Sequence, residues 1–392
     1  MSGAARRTPF ECVALVLQGG GALGSYQGGV YQALAEADLH PNWVAGVSIG
    51  AVNSALIAGN PPERRVEKLR EFWEAVSSSP LGPFGVPPRY PLVETKDEFT
   101  HRIVNQTRAL GIMLFGAPGF FKLRFPSPLL WPSRRSDAIS YYDVAPLKAT
   151  LERLVDFDRI NNAGEMRFSV GAVNVRTGNS VYFDTRTHVI APAHIIASGS
   201  LPPGFPATEI GGDYYWDGGI VSNTPLQWVL DSRPRLDTLA FQIDLWNSHG
   251  DVPRDMTDIE VRLKDIQYSS RTRAATDQYK RQQKLRLAFA SLIKKLPEHL
   301  HTDEDVQTLK EQADDKVCNI VQLIYNCKAY ESIVKDFEFS RRTMEEHWQA
   351  GYNDTVRALG HREVLELPDR MEGVRTFDFA DVRPGLKRRH ND

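Results

Sequence analysis

The chain has 392 residues, 42% of them hydrophobic, and a formal net charge of −2. That length allows a large core and two or three domains, and the charge balance points to no polyanionic partner such as a nucleic acid. Three cysteines, Cys12, Cys318 and Cys327, offer neither a disulfide framework nor metal-ligand spacing, and their scarcity fits a reducing compartment.

The first element is the apolar run Cys12–Leu17, preceded by Arg6 and Arg7 and stopped by Gln18 and three glycines. It is too short for a signal-peptide core and reads as a buried strand. No stretch reaches the length of a bilayer span, so a cytoplasmic chain is expected, with at most peripheral contact with an anionic membrane. A glycine-rich turn and a helix from about Ser25 to Ala37 come next. A second strand, Trp43–Val47, is followed by a helical stretch over Ala51–Gly59. Further short strands fall at 166–175, 180–185 and 239–245. Apolar strands alternating with helices argue for a three-layer α/β/α fold with a mostly parallel central sheet.

Between about 77 and 142 the alternation breaks, and prolines and aromatics crowd together as an insertion over the sheet. After Asp251 long charged helical patterns predict a separate α-rich C-terminal region, 251–392, of unassigned role. The α/β unit is placed at 10–250. The basic run Lys387-Arg388-Arg389 closes the chain as a disordered tail.

Three motifs carry chemistry. Gly46-Val47-Ser48-Ile49-Gly50 is a G-x-S-x-G between a strand and a helix. In that context the glycines allow a sharp turn that raises the Ser48 hydroxyl, and the following helix aims its N-terminal N–H groups at developing negative charge. Gly19-Gly20-Gly21-Ala22-Leu23-Gly24 lets backbone N–H groups approach an anion closely, as an oxyanion demands. The same stretch fits the dinucleotide G-x-G-x-x-G pattern. However, the second strand ends in Ala45-Gly46-Val47-Ser48, without the ribose-binding carboxylate that pattern requires. No Gly-Lys-Ser/Thr follows for a P-loop, and no cofactor or metal is expected. The third motif, Tyr214-Tyr215-Trp216-Asp217-Gly218-Gly219, places an aspartate at a tight turn after a strand.

Together these motifs resemble the patatin-like phospholipase family. The small-residue and proline block Ala197–Pro206, and Val221-Ser222-Asn223-Thr224-Pro225 after the Asp-Gly-Gly, extend the resemblance over roughly Val13 to Leu245. Gln18 departs from it, since many members have Asp before the triple glycine; lying ahead of the loop, it is given no part in the chemistry. The C-terminal part resembles the extra region of some bacterial members. The resemblance implies a Ser-Asp dyad with Ser48 as nucleophile and Asp217 as general base. Oxyanion donors would come from Gly19, Gly20 and Gly21, with Ile49 as an additional one. A carboxylate is a weak base for a serine hydroxyl, so burial, with Trp216 and its neighbouring tyrosines as the wall, is expected to raise the Asp217 pKa. A Ser-His-Asp triad through His188, His194 or His249 is the rival mechanism.

Leu110–Trp131, with Phe115, Phe120, Phe121, Phe125 and Trp131, reads either as a lid or acyl-binding wall or as packing for the insertion. Ten basic and two acidic residues fall between Arg262 and Lys295, with Leu285, Phe289, Leu292, Ile293 and Leu296 at helical spacing. This is a pattern that suits an anionic membrane or an ordinary half-packed helix. The leading function is hydrolysis of lipid carboxylic esters, as a phospholipase A or carboxylesterase. The alternatives are a polyester or oligoester hydrolase using the same site, and a catalytically silent interaction protein on the same scaffold.

Overall fold

The computed structural model describes residues 8–77, 98–130, 139–162, 164–269, 272–327 and 334–379. The strands are β1 (Cys12–Leu17), β2 (Trp43–Val47), β3 (Lys122–Leu123), β4 (Tyr142–Asp143), β5 (Arg167–Asn174), β6 (Ser180–Asp184), β7 (Thr208–Ile210), β8 (Asp213–Asp217), β9 (Thr238–Asp244), β10 (Cys318–Ile324) and β11 (Val374–Asp378). The helices are α1 (Ser25–Glu36), α2 (Ile49–Ala58), α3 (Pro62–Val76), α4 (Glu98–Phe115), α5 (Ala145–Leu154), α6 (Phe157–Asn162), α7 (Pro192–Ser198), α8 (Leu226–Asp231), α9 (Met256–Tyr268), α10 (Thr272–Ile293), α11 (Glu304–Gln312) and α12 (Arg341–Leu359).

Nine of these strands form one sheet, in the order β11-β10-β9-β1-β2-β5-β8-β7, with β6 also on β5. From β11 to β5 every pairing is parallel, while β6, β7 and β8 run antiparallel to their neighbours. The period-2 alternation of strand side chains divides the core between the two faces. Val13, Leu15 and Leu17 of β1 join Phe241 and Ile243 of β9 under α1, α2, α3 and α12. Cys12, Ala14 and Val16 join Ala240 and Ile320 under α8, with Tyr279 of α10 packed against them. This is the three-layer α/β/α arrangement.

The expectation of a separate α-rich region after residue 251 is revised by the sheet itself. Although α9 to α12 lie there, β10 pairs with β9 over seven residues and β11 extends the same edge. Helix α12 also packs on α1 at backbone distance. A Cβ at Gly29 would fall 1.8 Å from the Trp348 carbonyl oxygen, and one at Gly351 would fall 2.0 Å from that of Tyr26. The C-terminal part thus completes the core, because an edge strand as apolar as β9 needs a partner.

Within the insertion, α4 and the β3–β4 hairpin are described. Tyr141 N and Tyr142 N donate to the carbonyls of Pro203 and Gly204, tying the hairpin to the proline block. The basic run at Lys387 and the aromatic Trp131 lie outside the described residues.

Candidate active site

Strand β5 brings the candidate nucleophile and base together. β6 occupies one edge of β5 over Ser169–Val173, so β2 and β8 must share the other edge end to end. Val47 pairs with Gly171 and Asp217 with Ala172, the next residue along. The chain leaves β2 at Ser48, where β8 arrives with Asp217.

Ser48 sits at φ 56°, ψ −124°, outside the regions open to an unstrained non-glycine residue, and caps the N-terminus of α2. Its N–H donates to both the carbonyl oxygen and Oγ of Ser198, at 3.1 and 3.0 Å. Ser198 Oγ in turn donates to the Gly171 carbonyl at 2.6 Å. Two residues on, the Ser200 carbonyl accepts the Asp217 N–H at 3.0 Å. The small-residue block Ala197–Pro206 therefore fixes both candidates to one short piece of chain.

Asp217 is buried, and the Ser48 side chain beside it favours its ionised form. Its Oδ1 also accepts the Gly219 N–H at 2.7 Å. Burial outweighs both effects and lifts its pKa from 3.8 to about 6. The rise matches the expectation, whereas the expected wall is met only by buried Tyr215, which shares the face of Asp217 on β8. Alternation along β8 turns Tyr214 and Trp216 to the face opposite Asp217, and Trp216 does not line the cleft described below.

The glycine loop reaches the serine, with one departure from the sequence reading. Gly19 N–H donates to the Asn223 carbonyl at 3.3 Å. The part Gly19 plays is close approach: a Cβ there would meet Asn223 Oδ1 at 2.4 Å and the Ser48 Cβ at 3.0 Å. Gly21 adopts φ +55° against the Asp336 carbonyl, where a Cβ would fall 2.3 Å away. Among the described residues the N–H groups of Gly20, Gly21 and Ile49 donate to no other loop or cap carbonyl, and all three residues line the cleft with Ser48.

Two residues that the sequence reading passed over hold this loop. Gln18 is fully buried; its Oε1 accepts the N–H groups of Leu245 and Trp246 at 2.6 and 3.0 Å. Its Nε2 donates to Thr224 Oγ1 and the Tyr268 carbonyl at 3.0 and 3.2 Å. Asn223 Nδ2 donates to the carbonyls of Gly19 and Tyr268 at 3.1 and 2.9 Å. The signal for Asn223 was present in the block after Asp-Gly-Gly; that for Gln18 was its position directly before the glycines.

The cleft above Ser48 encloses about 880 Å³ including its open mouth. Phe120, Phe121, Phe205 and Phe339 form one ring cluster in its wall, with centroids 5.4 to 6.4 Å apart. Phe120 and Phe121 thus pack the insertion and line the cleft at once, whereas Phe115 and Phe125 are exposed. Trp246, Tyr268, Asp336 and Phe337 also line it, the last three from beyond residue 250. No described histidine lines it. His188 and His194 stand against Phe183, and burial lowers the His194 pKa. Among the described residues no His/Cys/Asp/Glu group could hold a metal, and no helix is long and apolar enough to cross a membrane.

A strained serine at a strand–helix turn, beside a buried carboxylate on the central sheet of a three-layer fold, has the form of the G-x-S-x-G elbow of α/β proteins. The chain belongs to the patatin-like phospholipase family: the profile for Patatin-like phospholipase matches residues 15–229, over half its length. A second profile, Patatin phospholipase, matches residues 266–371. No curated protein sequence matches significantly. Similar solved structures include VipD from Legionella pneumophila, at 14% identity and TM-score 0.36 over 89% of this chain and 67% of that one. Others are human GIVD cytosolic phospholipase A2, at 17% and 0.25 over 44% and 22%, and the type III effector ExoU, at 17% and 0.19 over 76% and 61%.

Proposed function

We propose that this chain hydrolyses carboxylic esters of lipids, with Ser48 as nucleophile and Asp217 as general base. The observation that carries the reading is Ser48 at its strained turn brought beside buried Asp217 in the lining of a largely apolar cleft. Asp217, titrating near 6, is mostly ionised at neutral pH yet more basic than a solvated carboxylate. It takes the Ser48 proton as Oγ attacks the acyl carbon. Gly20, Gly21 and Ile49 offer their N–H groups to the oxyanion, helped by the N-terminus of α2. The phenylalanine cluster suits an acyl chain.

A fluorophosphonate probe and a substrate panel test this on native protein, Ser48→Ala and Asp217→Asn. The panel holds phospholipids, neutral glycerides, p-nitrophenyl esters of graded length and a short polyester. Labelling of native protein alone, with hydrolysis lost in both variants, is expected. Polyester cleavage exceeding that of every lipid would move the substrate class and keep the site. Absence of both labelling and hydrolysis would leave the silent interaction protein.

The outer face of α10 favours a surface role beside this chemistry. Leu285 and Leu292 are exposed at 57% and 48%, flanked by exposed Arg281, Lys284, Lys294 and Lys295. Arg286 by contrast is buried and paired with Asp231 at 3.2 Å. Peripheral contact with anionic lipid through this face predicts co-sedimentation with anionic vesicles that Leu285→Glu abolishes. Equal recovery with neutral vesicles would count against it.

A further inference from the structure

Two unlike groups of side chains line the cleft. The phenylalanine cluster is wholly apolar, while Tyr268 and Asp336 are polar and come with Trp246. Tyr268 is the last residue of α9 and is held from both sides. Its carbonyl accepts from Asn223 Nδ2 at 2.9 Å and Gln18 Nε2 at 3.2 Å, and its ring leans on Trp246 with centroids 5.3 Å apart. Those two amides also fix the glycine loop, so Tyr268 and the loop move as one piece. Among the described residues, however, its hydroxyl has no hydrogen-bond partner. A half-buried phenol in an otherwise satisfied site is a donor awaiting an acceptor.

We propose that the Tyr268 hydroxyl donates a hydrogen bond to the departing alcohol oxygen of the ester. The inference rests on the ester-hydrolase reading above. During acylation Ser48 Oγ bonds to the acyl carbon and its proton passes to Asp217. The bond from that carbon to the alkoxy oxygen then breaks, leaving its electron pair on oxygen, and Asp217 delivers the proton there. The departing oxygen must therefore lie beside Asp217, while the acyl chain takes the phenylalanine wall. Tyr268 lies on the Asp217 side: Asn223, which holds its carbonyl, also stands beside Asp217, since a Cβ at Gly219 would meet Asn223 Oδ1 at 2.8 Å and Asp217 Oδ1 at 3.0 Å. Burial, with the charges of Asp336 and Asp217, keeps the phenol protonated. It keeps its own proton throughout and lowers the energy of the negative charge gathering on oxygen. The backbone N–H groups serve the other oxygen, that of the carbonyl.

The distinguishing property is leaving-group dependence. A p-nitrophenolate leaves without help, whereas an alkoxide does not. Full-length native protein and Tyr268→Phe are compared on a p-nitrophenyl ester and an ethyl ester of the same acid. The variant should lose about ten- to hundredfold in kcat on the ethyl ester and less than about threefold on the other, with KM nearly unchanged. Tyr268→His, which keeps a donor, should recover part of the ethyl-ester rate. Fluorophosphonate labelling at the native rate reports an intact Ser48 site in each variant. Should Tyr268→Phe fail to label, Tyr268→Met, which also removes the donor, takes its place, and a ratio of the two ester rates equal to the native one overturns the proposal. Equal losses on the two esters, or no loss on either, overturn it as well. Native protein that neither labels nor cleaves either ester would instead remove the ester-hydrolase reading, and this inference with it.

Discussion

In the proposed reaction the Asp217 carboxyl links activity to stability in a way that one isosteric change exposes. Asp217 is 3% exposed, and burial moves its pKa from 3.8 to about 6. At roughly 1.4 kcal/mol per pH unit, that difference costs the folded state about 3 kcal/mol once the group ionises. Below about pH 3.8 the carboxyl is protonated whether the chain is folded or unfolded, and there is no penalty. Between 3.8 and about 6 the unfolded chain ionises first, so this group makes stability fall as pH rises. Above about 6 the whole penalty is present. Asp217→Asn cannot ionise, so its stability relative to native protein should climb by about 3 kcal/mol from acid to neutral pH. At about 1.2 °C per kcal/mol for a chain of this size, that is a relative gain of about 4 °C in Tm. Asp244, which burial raises to about 7, titrates in the same range, but it is common to both proteins and cancels in the difference. Urea titrations of both proteins at several pH values provide the measurement. A stability difference constant across pH would refute the raised pKa. A gain in stability together with lost hydrolysis is the trade expected of a group kept charged for its chemistry.

Three further outcomes are expected. Hydrolysis by native protein should rise about tenfold per pH unit up to about 6 and level off above it, as Asp217 ionises; a flat kcat/KM between pH 5 and 8 would contradict this. Gly19→Ala should cost about 1–3 kcal/mol in denaturation and depress kcat sharply, since its Cβ would press Asn223 Oδ1 at 2.4 Å and Ser48 Cβ at 3.0 Å. Gly351→Ala, whose Cβ would meet the Tyr26 carbonyl at 2.0 Å, should cost about 1–3 kcal/mol or more while calorimetry still shows one cooperative transition. A separate low-temperature melt of the C-terminal part would speak against the shared core.

The sequence made the parallel half of the sheet readable because its strands are short, apolar and bounded by glycine. Cys12–Leu17 and Trp43–Val47 appear with the bounds that their composition indicates, and α1 differs from its expected span by one residue. β10 was hidden because Cys318–Ile324 follows a long charged stretch and carries polar Asn319 and Gln322, which dilute its apolar pattern. Its membership of the sheet depends on a partner, β9, some eighty residues earlier, and local patterning holds no record of that pairing. Ser48 and Asp217 were legible from their turns. What lay beyond the sequence was the geometry that joins them, two strands sharing one edge of β5. The part Gln18 plays in holding the loop was hidden for a similar reason: among the described residues its side chain bonds to Thr224, Leu245, Trp246 and Tyr268, all more than 200 residues away.

These distant bonds also explain why the C-terminal part belongs to the site as well as to the core. Residues before 250 supply the groups proposed to react, Ser48, Asp217 and the glycine loop. Residues after 250 supply Tyr268, Asp336, Phe337 and Phe339 of the cleft wall. The two sets are joined through backbone: Asp336 closes over Gly21, and the Tyr268 carbonyl is shared by Gln18 and Asn223. Ion pairs fasten the wall from behind, Lys264 to Asp336 at 2.9 Å and Lys335 to Asp265 at 2.6 Å. Lys335 is almost fully buried, so removing one partner of its pair would leave a charge without compensation. The wall is therefore held in a single position relative to the glycine loop. In the proposed reaction, donors held in this way pay no reorganisation cost as charge moves from Ser48 to the departing oxygen.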